Sequence, residues 1–499
     1  MEDELKKVRR LLRDEESKLA RDARFLATTI ARASVDPVLF GRRFDAVLYD
    51  EVGMALVPQV VLASVMAHER MCCFGDFRQL PPIVDERVPE LKGDIFDRLG
   101  IVESVDGGWP HDLLVMLTEQ RRFHPEIASF VGEELYGGLL ETNREAAKMS
   151  TLRSREYCGE LGPMALVDLS KMPSLCLRDS KSHYNLMSAS VCVDLAVGMP
   201  DDWRVAIITP YRSQAGLVNA MLRDRLGGTE RVRGATVHGF QGSEAEAVIF
   251  DVVDCAPRDS LGMLLRDNRG GMADRLLNVA ITRAKYKFVM VANLAGMQDI
   301  FPPEELLLRR LMDAIAGQGG VVSGNAVLSL LNGPSGQFYI RGSAEGAWNR
   351  LVEDIEASRE EVLLVLARSL SGTPTQINQM VAALVAAVRR GVRVEVYGKA
   401  ARELPPCPGG FVGNVDGLPN TALAIVDGEI AWNGLPCSWL SSHSGTRMAY
   451  DPVFRYVGGH TAREVGRMFC PRIERAQLGS DVTYSDLGGL QLSLKLDGS

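Results

Sequence analysis

The chain has 499 residues, of which 46% are hydrophobic and 24% charged, with a formal net charge of −8. That length predicts about three domains of ordinary globular composition. The negative balance argues against a general polyanion binder, though not against a local basic groove holding one strand. Nine cysteines are scattered, with one adjacent pair (Cys72, Cys73) and no C-x-x-C. Their spacing excludes a zinc ribbon and predicts thiols in a reducing cytoplasm, each most simply a buried apolar residue. The first residues are densely charged, unlike a signal peptide, and no apolar run is long enough to span a bilayer. A soluble, cytoplasmic protein with no membrane partner is expected.

Residues 1–24 mix both charge signs around Leu5, Val8, Leu11, Leu12 and Leu19, which predicts a helix with a thin apolar seam. From Phe25 to Val84 the pattern becomes short β-rich runs separated by helices: ARFLATTI, FDAVLYDE, QVVLASVMA and ERMCCFGD. Such alternation predicts a parallel sheet with helices on its faces. Asp50, Glu51, Gly75 and Asp76 then fall at strand ends, where active groups of such folds lie. A second α/β unit is expected from about Leu113 to Asn293. Its strands include RVAIITP, AEAVIFDVV and KFVMVAN, and a crossover helix lies between Gln214 and Leu226. Residues 297–336 are expected to be a linker with one helix at 304–316. A third unit, 337–477, alternates helix (Ala344–Arg359), strand (VLLVLA), helix (Gln376–Arg390) and strand (VRVEVYG). TALAIVDGEIAWNG and the helix HTAREVGRMF follow, and 478–499 is a polar tail.

Six short segments carry the chemistry. They are FDAVLYDEVG, FGDFRQLPPI, LTEQRRFHPEI, TPYRSQ, TVHGFQGSEAEAVIFDVV and LLNVAITRAK. The pair Asp50–Glu51 ends an apolar strand, which suits Mg²⁺ coordination and general-base work. A lone D-E of this kind would be an exposed turn; the GDFRQ segment after the next strand favours the functional reading. Arg122 and Arg283 are of the type that clasps phosphoryl oxygens bidentately. His238 is expected to be a structural hydrogen-bonder.

In this order the six segments resemble the later motifs of a superfamily 1 helicase, of the stalk-containing subgroup that includes nonsense-mediated-decay-type helicases. The resemblance covers residues 25–293. It implies an α/β fold, with a partial first RecA-like domain at 25–112 after the stalk-type helix 1–24, and a complete second RecA-like domain at 113–296. It also implies ATP and Mg²⁺ as cofactors and single-stranded nucleic acid as partner. By resemblance, Asp50 would hold Mg²⁺ through water, Glu51 would be the general base and Gln79 the γ-phosphate sensor. Asp76 and Arg78 would couple that sensor to the neighbouring domain, and Arg122 and Arg283 would be arginine fingers. Gly242 would approach the phosphates and Glu244 the ribose, while Thr209, Tyr211 and Thr236 would touch the nucleic acid. For Tyr211, core packing is as good a reading as base stacking. Arg121 replaces the family's Tyr, and His238 its usual acidic residue. The phosphate-gripping G-x-x-x-x-G-K-[ST] is not found in the sequence, and the Gly-Lys at Lys399 has the wrong context to replace it.

The third unit resembles a phospholipase-D-like nuclease domain, whose chemistry needs H-x-K-x-x-x-x-D: a His nucleophile, a Lys on the phosphate and an Asp orienting the ring. Aligned on LAIVDGEIAWNG, those positions are Asn420, Ala422 and Asp427. The following Gly-Ser-x-Asn element is Gly434, Leu435, Pro436 and Cys437, and neither His443 nor His460 restores the spacing. The site is therefore expected to be degenerate, and the domain to bind, dimerise or regulate. Three readings follow. One is a helicase-type motor component that takes its P-loop from a partner subunit or from upstream sequence. The second is an inactive scaffold for nucleic acid or a partner, and the third, an active phosphodiesterase, is disfavoured by loss of the His and Lys.

Overall fold

Parallel strands need a crossover, and a helix is the usual one. In the first unit, residues 1–117, strand Phe44–Tyr49 runs parallel to Ala67–Cys73, with helix Val57–Met66 between them. The computed structural model describes residues 2–468, apart from 86, 155–160, 173, 180–181, 229, 257, 268–269, 325–335, 340–343, 367–372, 399–403, 405–410, 414–421 and 437–452. Lys399, Asn420, Cys437, His443 and the tail 478–499 thus lie outside the described residues.

Two β-rich readings in this unit are corrected. QVVLASVMA lies on the Val57–Met66 helix, whose first turn holds a proline and whose Gln59 side chain accepts from the Leu56 amide at 3.0 Å. The β-branched residues mislead there because the crossover requires a helix. ARFLATTI holds no strand; Thr29 caps the short helix Ile30–Val35 instead. The expected N-terminal helix is present at Glu2–Asp22, its apolar seam exposed. Arg42 hydrogen-bonds the carbonyls of Ala20 and Ala23 at its end. The unit's core is small: Val52, Ala55, Val60, Phe77, Phe96 and Ile101. Its two-stranded sheet leaves Leu48 67% exposed, whereas parallel strands are ordinarily covered on both faces.

Residues 118–499 form the second unit. Its first sheet has six parallel strands in the order 321–323, 164–168, 284–292, 245–251, 205–209, 232–236. Helix Arg212–Leu226 connects 205–209 to 232–236, as the βαβ pattern requires. Helix Leu186–Val197 is buried along its length from Leu186 to Ala196, so it has no solvent face.

The second sheet has seven strands in the order 336–339, 453–457, 430–433, 423–426, 361–365, 393–397, 411–413. Four adjacent pairings are antiparallel and two parallel. One face packs under helices Ala344–Ala357 and Pro374–Arg389, through Trp348, Leu351, Val362, Leu364, Met380 and Trp432. Residues of the other face (Leu423, Ile425, Ala431, Tyr456) belong to the same continuous core as Val191, Leu217 and Met221 of the first sheet's helices. Two sequence-level domains therefore share one apolar interior.

Among the described residues no helix is long and apolar enough to cross a membrane. Cys176, Cys192 and Cys255 are buried, but Cys72 and Cys73 are exposed, because the sheet that carries them is open.

Candidate functional site

In the first unit the two strand ends are tied backbone to backbone. Phe74 donates to the Tyr49 carbonyl at 2.7 Å and Val52 to the Phe74 carbonyl at 2.9 Å. A Cβ on Gly75 would lie 3.1 Å from Val52 Cγ1 and 3.2 Å from the Gly53 nitrogen, so the approach leaves little room for a side chain. This brings Asp50, Glu51, Asp76 and Gln79 to one end of the parallel strands. Glu51 holds a left-handed φ of 54°, a conformation costing a non-glycine residue on the order of 1 kcal/mol and concentrated at functional sites. Its amide donates to Asp50 Oδ1 at 3.0 Å. Asp76 accepts from the Arg78 amide at 2.9 Å and from Gln79 Nε2 at 2.9 Å. The Gln79 nitrogen is thereby committed, which fixes the direction of its carbonyl oxygen. Arg78 pairs with Asp106 and lies over the Phe77 ring at 5.1 Å. Asp50 stands apart from the three-residue ligand cluster among the described residues, the exposed Asp45, His68 and Glu69. A Mg²⁺ held by one or two carboxylates takes its remaining ligands from water and phosphates, and Asp50 and Glu51 fit that donor set.

In the second unit three distant segments meet at residues 242–246. Gly242, with φ 76°, turns the chain after the short helix Val237–Phe240. The N-cap of that helix is Thr236, whose hydroxyl accepts from the Gly239 amide at 3.3 Å. Glu244 takes Lys285 Nζ at 2.6 Å and Arg122 Nε at 3.4 Å. Lys285 also reaches Glu246 at 3.3 Å, and Arg204 pairs with Glu246 at 3.2 Å. The Lys285 hydrogen bond, before all other causes, holds the Glu244 carboxyl below its ordinary range. Arg283 caps helix Met272–Thr282 and donates Nη1 to the Ser243 carbonyl at 3.3 Å; it is 3% exposed.

Arg122 is held from behind. Gln120 Oε1 accepts from the Arg122 amide at 2.8 Å and the Phe123 amide at 3.0 Å. The His124 amide donates to the Lys285 carbonyl at 2.9 Å, joining this segment to the strand that carries Lys285. His124 Nδ1 accepts from the Glu126 amide at 3.2 Å, capping helix Pro125–Leu135. Burial, helped by Lys287, lowers His124 to about 4. It is neutral and structural at pH 7. Arg121 turns away to Glu119, at 2.6 Å.

Three residues expected to touch nucleic acid divide differently. Thr209 is 0% exposed. The Tyr211 ring is buried, and its hydroxyl donates to Asp254 at 2.7 Å, with Arg258 3.0 Å from the same carboxylate. A Cβ on Gly262 would fall 1.9 Å from the Tyr211 hydroxyl, so that packing depends on glycine. Thr209 and Tyr211 therefore present no group to a strand, and packing prevails over base stacking for Tyr211. Only Thr236 of the three is half-buried. Gln214 belongs to the same interior: it donates to Asp251 at 2.6 Å and accepts from the Asn185 amide at 2.8 Å. His238 is half-buried and lowered, chiefly by burial with Arg212 adding.

In the seven-stranded sheet, Ala422 is 1% exposed and apolar. Asp427, the Asp position of the site expected to be degenerate, has a structural part in the sheet. Asp427 sits in the tight turn between strands 423–426 and 430–433, with φ 53°. Asp427 is five residues past Ala422, roughly 16 Å along an extended strand at ~3.3 Å per residue. Its carboxylate instead accepts the backbone amides of Arg359 at 2.9 Å, Glu360 at 2.8 Å and Glu361 at 3.0 Å.

Sequence reasoning missed Lys285, Arg204 and Gln241. Lys285 lay inside the quoted LLNVAITRAK, two positions past Arg283 and thus on the strand beginning at Ala284. Arg204 opens RVAIITP and carried no signal. Both amide atoms of Gln241 are buried without a hydrogen-bond partner, and nothing in its spacing announces that.

Residues 97–295 match a family described as an AAA domain, and residues 1–87 match a second family of the same description. The chain is 28% identical over 272 residues to the probable helicase MAGATAMA 3 of Arabidopsis thaliana, covering 52% of this chain and 31% of that protein. It is 28% identical over 280 residues to the DNA replication ATP-dependent helicase/nuclease DNA2 of Gallus gallus, covering 55% and 25%. It is 26% identical over 303 residues to the ATP-dependent helicase upf1 of Schizosaccharomyces pombe, covering 58% and 31%. The chain thus spans between 25% and 31% of the length of these relatives. Among solved structures, NucT from Helicobacter pylori is 17% identical, covers 28% of this chain and 95% of that one, and has a TM-score of 0.23, too low to carry an argument.

Proposed function

We propose that the chain, of superfamily 1 helicase type by its AAA-domain and helicase matches, is an ATP-dependent motor component acting on single-stranded nucleic acid. Its phosphate-gripping loop would come from a partner subunit or from upstream sequence. One observation carries the reading: Arg122, Ser243–Glu244, Arg283 and Lys285, distant in sequence, converge on one loop. Arginines beside a glycine turn are what phosphoryl transfer needs to spread charge.

In this reading Asp50 holds Mg²⁺ through water, Glu51 takes a proton from the attacking water, and Gln79, oriented by Asp76, contacts the γ-phosphate. Gly242 approaches the phosphates and Glu244 the ribose. Arg122 and Arg283 are the fingers. ATP with Mg²⁺, when bound, supplies the phosphoryl group. The G-x-x-x-x-G-K-[ST] that would cradle its β and γ phosphates is not found in the sequence, so no hydrolytic step is assigned to these residues alone. The open parallel sheet, with Leu48 67% exposed, supports a partner covering the first unit. The C-terminal sheet, with a buried Ala422 in place of a phosphate-binding lysine, is a degenerate phospholipase-D-like domain that binds or regulates.

The test is ATPase activity. The isolated chain should show negligible turnover. Mixing with a P-loop-bearing partner fragment should restore nucleic-acid-stimulated hydrolysis, and Arg283→Ala should abolish it. Robust turnover by the isolated chain would overturn the reading. The burial of Arg283 favours one competitor, a non-hydrolysing scaffold; reconstituted activity indifferent to Arg283→Ala would select against the finger role.

A further inference from the structure

Asp224 lies in the last turn of helix Arg212–Leu226. A carboxylate there is unfavourable for its own helix, whose C-terminal end carries partial negative charge. Its partner is another helix. Asp224 Oδ1 accepts from the His460 amide at 2.9 Å, and Oδ2 accepts from the Thr461 amide at 2.9 Å and the Thr461 hydroxyl at 2.6 Å. These amides open the helix 459–468 of the C-terminal domain. Asp224 is thus an N-cap supplied from a different domain, where its charge meets the favourable end of a helix dipole.

Gly458 permits the approach, and Gly216 adds room beside the Glu464 carboxylate. A Cβ on Gly458 would lie 2.3 Å from Asp224 Oδ2, and one on Gly216 would lie 2.9 Å from Glu464 Oε1. Beneath this contact Ala462, Val465 and Met468 of the same helix join Leu217, Val218 and Met221 in one continuous core. Leu423, Ile425, Ala431, Phe454 and Tyr456 of the seven-stranded sheet belong to that core too. The opposite sheet face is covered by the C-terminal domain's own helices.

We propose that the C-terminal domain is docked in cis on the six-stranded domain as one cooperative body, latched by Asp224 and Gly458, and moves with it rather than swinging on a tether. The proposal rests on geometry within residues 118–468 and is independent of whether the chain hydrolyses ATP. A protease site placed within residues 325–335 of the full chain tests it. After cleavage at micromolar concentration, the two pieces should co-elute in size-exclusion chromatography and melt in one transition. Gly458→Leu should make the cleaved pieces elute apart. Asp224→Ala should weaken their association roughly tenfold, the worth of one N-cap, and Asp224→Asn, which keeps an acceptor, less. Far-UV circular dichroism of the uncleaved variants separates undocking from misfolding. Wild-type pieces that elute apart would overturn the docking. Pieces that co-elute equally with Gly458→Leu and Asp224→Ala would overturn the latch.

Discussion

Lys285 Nζ stands 2.6 Å from Glu244 Oε1 and 3.3 Å from Glu246 Oε1, bridging two acids on one loop and strand. Lys285 therefore sets where the Glu244 carboxylate, which the proposed function places at the ribose, sits. Lys285→Ala should raise the Glu244 pKa toward the ordinary carboxylate value, since the Lys285 hydrogen bond is the main cause of its depression. A carboxylate lowered in the folded state stabilises above its unfolded pKa and loses that as pH falls through the folded one. The pair is partly exposed, so the stability change should stay within about 1 kcal/mol. Carboxyl-carbon NMR titration reads the shift; an unmoved Glu244 would refute the bridge.

Asp251 gives a pH dependence of opposite sign. Burial raises it to about 6 against hydrogen bonds from Gln214 and Ser188 that lower it. Its folded pKa exceeds the unfolded value, so the native state binds more protons between pH 4 and about 6. Its contribution to stability is full below that window and lost as pH rises through it, on the order of 2–3 kcal/mol. Wild type should therefore lose stability relative to Asp251→Asn as pH rises from 4 to 7. Parallel Tm profiles for the two proteins would contradict this.

Asp354 is the pivot of the C-terminal core. It accepts Arg455 Nε at 2.7 Å and Nη2 at 2.8 Å, and Trp432 Nε1 at 2.8 Å. Removing it takes both of these bonds from a buried guanidinium. Asp354→Ala should cost about 3–5 kcal/mol, read as a lower urea midpoint, and Asp354→Asn less. A midpoint unchanged in Asp354→Ala would show that Arg455 finds water.

Asp427 should behave as a backbone clamp. Asp427→Ala removes the acceptor of three amides and leaves alanine at a φ of 53°. The cost should be about 1–2 kcal/mol by chemical denaturation. Metal-independent cleavage of a phosphodiester by the wild type, lost on substitution of Asp427 or Asn420, would overturn both the clamp and the degenerate site.

Strands ending in charge were legible because an apolar run followed by Asp50–Glu51 or Gly75–Asp76 is a local pattern. The crossover Val57–Met66 was not: its VVLASVM composition favours strand, and only the parallel pairing of its neighbours demands a helix. Tyr211 was ambiguous for a related reason. Its partner Asp254 lies 43 residues away, and no spacing rule connects them. Asp427 matched the aspartate of the phospholipase-D-like pattern because a motif fixes residue type, whereas its bonds to the amides of Arg359, Glu360 and Glu361, more than 60 residues away, required the fold. The convergence of Arg122 and Lys285 on Glu244 required the fold, since the six-stranded sheet places 245–251 beside 284–292.

Helix Leu186–Val197 is buried from Leu186 to Ala196, within the core that also takes in Leu423 and Tyr456 of the C-terminal sheet. Such a helix has no neutral positions. A chimera that exchanged the C-terminal domain for another would strip cover from this core and expose apolar surface to aggregation. Recombination between strands 321–323 and 336–339 would therefore require compensating changes in the six-stranded domain, so each domain constrains the other's sequence.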